Sequence, residues 1–135
     1  MMTDQELVEL AFTMLERSYV PYSHFPVGAA LECSDGTVFT GCNIENAAFG
    51  PTICAERTAV AKAVSEGHRD FVRIVIAGRS EGLCVPCGVC RQVLREFAPD
   101  IEIICLNGAG EERIFRLPEL LPHSFGPEYL APETN

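Results

Sequence analysis

Cys54-Ala55-Glu56 and, further along, Pro86-Cys87-Gly88-Val89-Cys90 are the two stretches that decide how this chain is read. Three thiols and one carboxylate at these spacings suit a zinc ion with three protein ligands. The fourth position is then left for water, and the carboxylate handles that water's proton. Cys87 and Cys90 stand one helical turn apart, so both sulfurs can point off the same helix end. Ala55 to Ser65 is rich in good helix formers and Gly67 stands where a helix would stop, which puts Cys54 at a second helix start. Two positive helix ends facing one ion help to hold thiols as thiolates. Three thiolates on a divalent cation leave the cluster at a net negative charge, and Arg57 is the candidate to offset it by donating to a sulfur. From spacing alone an ordinary surface arginine is an equally good reading of Arg57.

Outward from this pair, Asn43 to Ile53 reads as a loop by its Gly50-Pro51 and delivers the chain to Cys54. Before it, Val27 to Cys33 and Thr37 to Cys42 flank Asp35-Gly36, a dipeptide able to take the positive φ of a tight hairpin turn. Thr3 and Glu6 form a capping-box pattern ahead of Leu7, Leu10, Ala11 and Met14, which predicts a helix from Asp4 to Arg17 that must end before Pro21. After the first cysteine helix, Phe71 to Gly78 is a short apolar run, a buried strand at the centre of a sheet. A loop from Ser80 to Pro86 leads into the helix Cys87 to Phe97. Ile101 to Leu106 is another strand, Ile114 to Leu117 an edge strand, and Pro118 to Leu121 a helical turn. The prolines at 127 and 132 suggest a terminal arm packed on a neighbour or on the body of the domain. The order predicts an α/β fold, a mixed sheet of about five strands with helices on both faces, in one domain spanning residues 1–135. Strands joined through helices should run parallel and the opening hairpin antiparallel.

Composition narrows the function classes. A chain of 135 residues can bury about two thirds of its unfolded surface in one core. The acidic start lacks the basic cluster and apolar run of a secretory leader, and no stretch approaches the ~18 apolar residues of a membrane helix, so a soluble, cytoplasmic protein is expected. A formal charge of -9 offers no basic stripe to neutralise a polyanion, which argues against nucleic acid as partner and leaves a free nucleoside as the nucleic-acid component it could take. Seven cysteines without a leader point to reduced thiols in metal or catalytic use.

Blander readings compete with the metal site. Cys84, Cys87 and Cys90 open a ferredoxin-like cluster motif, but Leu94 stands where that motif needs a fourth cysteine. Cys33, Cys42, Cys84 and Cys105 read as buried structural cysteines. A purely structural zinc would draw a fourth ligand from Cys84, His24, His68 or His123, none of which has a compelling spacing. Glu56 decides between these readings. A closed structural site has no use for it, whereas a metal-held water needs a base. A lone first-turn glutamate that only favours the helix dipole is the weaker account beside these cysteines. Asn43 and Glu45 read as braces of a loop, and Phe25 and Phe125 as core residues.

Four ordered blocks then carry a resemblance: Pro21-Tyr22-Ser23, Phe25 and Val27-Gly28-Ala29-Ala30; Gly41-Cys42-Asn43-Ile44-Glu45-Asn46-Ala47; Cys54-Ala55-Glu56-Arg57-Thr58-Ala59; and Pro86-Cys87-Gly88, Cys90-Arg91-Gln92. The chain resembles the cytidine deaminase family, in its small class with three cysteine ligands, from about Tyr22 to Phe125. The resemblance implies zinc on Cys54, Cys87 and Cys90, with Glu56 as proton shuttle. It implies that Asn43 and Glu45 hold ribose hydroxyls, that Phe25 packs on the nucleoside and that the Ala55 amide fixes the base carbonyl. It further implies a homotetramer with shared active sites, in which Phe125 reaches a neighbour's pyrimidine. Phe49 stands where relatives often carry tyrosine, so a hydroxyl contact is lost there while stacking can survive. The implied reaction is hydrolytic deamination of cytidine and deoxycytidine in pyrimidine salvage. A blasticidin deaminase on the same scaffold and a non-catalytic zinc-stabilised interaction domain are the alternatives. The Asn43-Ile44-Glu45-Asn46 segment favours the nucleoside, and loss of Cys87 is expected to cost zinc and with it folding.

Overall fold

The first helix, α1 (Asp4–Thr13), starts on a reciprocal cap. Glu6 N donates to Thr3 Oγ1 at 3.2 Å and Thr3 N donates to Glu6 Oε1 at 2.9 Å, as the capping-box pattern predicts. The helix predicted to reach Arg17 is α-helical only to Thr13. Met14–Arg17 tighten into a 3-10 turn, because Ser18 is already extended and Tyr19 N must reach Asn43 O at 3.0 Å. The computed structural model describes residues 1–130, so Pro132 lies outside the described residues.

The strands are β1 (Val27–Cys33), β2 (Val38–Cys42), β3 (Phe71–Gly78), β4 (Glu102–Leu106) and β5 (Glu112–Arg116). They form one sheet in the order β2-β1-β3-β4-β5, so Phe71–Gly78 lies at the centre as expected. Pairs β1–β2, β1–β3 and β4–β5 are antiparallel, and β3–β4, joined through a helix, is parallel. The hairpin turn differs from the expected pair of positive φ angles. Only Gly36 has one, at 91°, and the loop closes through Gly36 N to Cys33 O at 3.0 Å and Cys33 N to Thr37 O at 2.8 Å. This is a three-residue loop with glycine in the left-handed position. Thr37 closes that loop, and because its amide donates to Asp35 Oδ1 at 2.9 Å the strand itself starts at Val38 and not at Thr37. The edge strand begins at Glu112 rather than Ile114, because Asn107 Oδ1 accepts from the Ala109 and Glu111 amides and aligns Glu112 with Leu106.

The sheet is covered on both faces, which explains why β3 reads as an unbroken apolar run. Leu7 and Ala11 of α1 pack on Ala30, Val75, Ala77 and Ile104. Helices α2 (Ala55–Ser65) and α3 (Gly88–Phe97) cover the other face, with Ala59, Ala63 and Leu94 against Leu31, Ile74 and Ile103. Two glycines allow this close approach. A Cβ on Gly28 would lie 2.0 Å from Ala11 O of α1, and one on Gly41 would lie 2.2 Å from Ala55 O and 2.7 Å from Ala59 N of α2. Backbone atoms on both sides cannot yield cheaply. Gly41→Ala is therefore expected to destabilise the fold by about 3 kcal/mol, read as a lowered denaturant midpoint at unchanged m.

After a short helix, α4 (Leu117–Leu120), the chain folds back over α3. Gln92 Nε2 donates to Phe125 O at 2.9 Å and Arg95 Nε to Ser124 Oγ at 2.7 Å. Of the two packings expected for the arm, the described part lies on the body of its own chain.

Candidate active site

Cys54 and Cys87 are the N-cap residues of α2 and α3, each in extended backbone, and neither side chain is spent on capping its helix. Cys90 lies in the first turn of α3. The Cys54 and Cys87 sulfurs are 3.8 Å apart, those of Cys87 and Cys90 3.5 Å, and all three lie within 4.8 Å of one another. A tetrahedral zinc with sulfur ligands at about 2.3 Å needs sulfur–sulfur edges of about 3.8 Å, so the triangle fits the ion. Among the described residues no further His, Cys, Asp or Glu joins the group. His68 is engaged elsewhere, with Nε2 3.1 Å from Asp35.

Arg57 Nη2 lies 3.5 Å from Cys54 Sγ and 3.5 Å from Thr52 O. The guanidinium thus lies beside the Cys54 sulfur instead of extending into solvent. The Cys54 thiol is held down to about 5, first by the hydrogen bond from Cys90 and then by Arg57, with burial opposing. The same contact with Cys54, together with burial, pushes Cys90 up.

Glu56 is 5% exposed, and burial raises its carboxyl above the ordinary carboxylate range, with the Cys54 charge adding to the effect. It borders a cavity of about 260 Å³ together with Phe25, Asn43, Glu45, Cys54, Ala55 and Cys87. Residues separate in sequence thus meet at one opening. Phe25 is 48% exposed at the rim rather than in the core, because the chain turns outward at Pro21-Tyr22-Ser23. Phe125, also expected in the core, is 54% exposed on the terminal arm and does not line its own chain's cavity.

Asn43 and Glu45 line the cavity and brace the loop at once. Asn43 Oδ1 accepts from Val27 N at 2.9 Å and Nδ2 donates to Phe25 O at 2.8 Å. Glu45 Oε1 accepts from Tyr22 N at 3.0 Å and Ser23 N at 3.1 Å, while the Ser23 hydroxyl donates to Oε2. These bonds, led by the Ser23 hydroxyl, hold Glu45 below the ordinary carboxylate value. Each side chain keeps spare capacity, one N–H on Asn43 and lone pairs on Glu45.

Sequence reasoning did not place Thr52, Leu83 or Val85 at the cavity wall. Cys84 is buried, as read, and its thiol is pushed up by burial, yet it also lines the cavity. Its position three residues before Cys87 was the available signal. Cys33, Cys42 and Cys105 are buried in their strands as expected.

A thiol triangle on two helix ends, with a buried acid lining the same cavity, is the donor set of a zinc-dependent hydrolase. The chain belongs to the cytidine and deoxycytidylate deaminase family, whose zinc-binding region matches residues 1–106. It is similar to a cytidine deaminase of Sporosarcina psychrophila, 48% identical over 117 residues that make up 86% of each chain. The solved cytidine deaminase of Burkholderia pseudomallei superposes with a TM-score of 0.89 at 45% identity, over 92% of this chain and 100% of that one. A blasticidin-S deaminase of Bacillus cereus is more distant, 35% identical over 114 residues, 78% of this chain and 81% of the relative.

Proposed function

We propose that the chain converts cytidine and deoxycytidine, with water, to uridine and deoxyuridine with release of ammonia, as a single-domain enzyme of pyrimidine salvage. One observation carries this reading: buried Glu56 opens beside the three sulfurs onto a cavity that also holds Asn43 and Glu45. Zinc on Cys54, Cys87 and Cys90 supplies a Lewis acid that makes water acidic near neutral pH. Glu56 would take one proton from the attacking water and deliver it to ring N3, which makes C4 electrophilic, and would later take the second from the hydroxyl formed on C4. The water oxygen then bonds to C4. Glu56 carries the second proton to the exocyclic nitrogen, and the C4–N bond breaks to release ammonia. A carboxyl raised by burial suits both directions of transfer. The Ala55 amide, in the first turn of α2 where no helical partner exists, donates to the base carbonyl. Phe25 packs on the nucleoside, and Asn43 and Glu45 hold the sugar hydroxyls.

The test is loss of cytidine absorbance by purified protein, with and without a zinc chelator, alongside blasticidin S and a metal analysis. Chelator-sensitive conversion of cytidine is expected, with blasticidin S spared. Conversion of blasticidin S alone, or a protein without stoichiometric zinc, overturns the reading. Asn43→Ala removes a sugar contact and two loop bonds, so KM for cytidine is expected to rise about tenfold or more in steady-state assays.

The same reading takes the protein to be a cytoplasmic homotetramer with shared active sites. Exposed Phe25, Phe49, Val89 and Phe125 support association, since isolated monomers rarely expose so much apolar surface. Sedimentation equilibrium tests it, and a monomer at micromolar concentration contradicts it. No helix among the described residues is long and apolar enough to cross a membrane.

A further inference from the structure

The helix that also carries Cys87 and Cys90 clasps the terminal arm on which Phe125 is exposed. Gln92 and Arg95 of α3 both reach the terminal arm. Gln92 Nε2 donates to Phe125 O at 2.9 Å, and Arg95 Nε donates to Ser124 Oγ at 2.7 Å. The other arm of the guanidinium, Arg95 Nη2, pairs with Glu128. One arginine thus ties the residue just before Phe125 and the residue three after it. The Arg95 side chain is only 13% exposed, although its partner Glu128 is largely exposed. Gly126 makes room for it: a Cβ there would lie 2.6 Å from Arg95 Cζ and 2.3 Å from Glu128 Oε1. Within this frame the Phe125 ring stacks on Tyr129, with centroids 5.2 Å apart and planes 15° from parallel. A ring held by its backbone carbonyl on one side and by a stacked neighbour on the other has little freedom to turn away.

We propose that Arg95 is a positioning residue for the reaction, which sets Phe125 through Ser124, Gly126 and Glu128 and so fixes nucleoside affinity without touching substrate. The inference rests on the proposed contact of Phe125 with a nucleoside. It predicts a split between kinetic parameters. Binding of the base suffers when the arm loosens, while proton transfer at Glu56 does not.

The experiment is a double-mutant cycle on the zinc-loaded enzyme with cytidine as probe, using Arg95→Met, Phe125→Ala and the pair. Arg95→Met is expected to raise KM about tenfold with kcat within about twofold and zinc content unchanged. In the Phe125→Ala background the same substitution is expected to change KM hardly at all, because the ring it positions is gone. Glu128→Gln, at an exposed site that leaves the fold intact, is expected to give a smaller KM rise of about threefold, and Arg95→Lys to restore part of the loss by keeping the pairing with Glu128. Should Arg95→Met prove insoluble, Glu128→Gln runs the same cycle. A wild-type KM in Arg95→Met, or an equal KM penalty with and without Phe125, overturns the clasp. A wild-type KM in Phe125→Ala alone removes the nucleoside contact on which the clasp depends, and that failure is told apart because it appears without any change at Arg95.

Discussion

Glu56→Gln is expected to bind a full equivalent of zinc and to lose turnover by about ten-thousandfold. Each proton transfer by a positioned side chain contributes about a hundredfold to ten-thousandfold, and Glu56 is assigned two such transfers in one cycle. Glutamine keeps the size and the buried position of Glu56, so the cavity keeps its shape, but an amide cannot relay a proton. Zinc should stay because the cation fits the three sulfurs and Glu56 does not belong to that group. The pH profile gives a second readout. Burial raises the Glu56 carboxyl, and the reaction begins from the carboxylate, so kcat/KM should fall as pH drops through a value above the ordinary carboxylate range. In the Gln variant that acid limb should vanish from whatever activity remains. A Gln variant within tenfold of the wild type would refute the shuttle. A Gln variant that loses zinc would move Glu56 from proton carrier to ligand.

The parts legible in sequence were those written in local spacing. Cys87 and Cys90 one helical turn apart, Cys54 at a helix start, the Thr3–Glu6 cap and the apolar run of β3 all depend on neighbours within a few residues. Spacing and period therefore found them. What escaped depends on contacts closed only by folding. Arg73 joins Glu32, Asp4 and the Met2 carbonyl across 41, 69 and 71 residues, and nothing local to β3 foretells that its arginine is anchored there. Gly28 and Gly41 look like ordinary strand glycines until α1 and α2 come down on them. Phe25 and Phe125 fail the rule that phenylalanine is core, because the first lies at the cavity rim and the second on the terminal arm, placements that residue type does not decide. Asn43 and Glu45 could be read as braces or as sugar contacts, and in the fold each braces the loop while lining the cavity.

Cys87→Ala is expected to remove both zinc and activity while leaving a folded chain, and it tests the cation site where Glu56→Gln tests the proton path. The Cys87 thiol closes two edges of the sulfur triangle, at 3.8 Å to Cys54 and 3.5 Å to Cys90. Without it the ion has two protein ligands in place of three. Outer-shell changes alone cost metal sites about tenfold to a hundredfold in affinity, so loss of a direct ligand should cost more than about a hundredfold. The sequence suggested that folding would go as well. The exposure of Cys87 argues otherwise, since α2 and α3 are held to the sheet by buried Ala59, Ala63 and Leu94, and the substituted thiol contributes little to that packing. The variant should therefore keep its far-ultraviolet spectrum and lose thermal stability equal to the binding energy of the ion, about 3 to 4 kcal/mol if zinc is present at a hundred to a thousand times its Kd. The wild type treated with chelator should fall to the same melting temperature, which ties the loss to the cation rather than to the missing thiol. A Cys87→Ala protein that is folded and still carries stoichiometric zinc would show that the ion is held without this corner. In that case the open position beside Glu56, and with it the path for water, would have to be sought elsewhere.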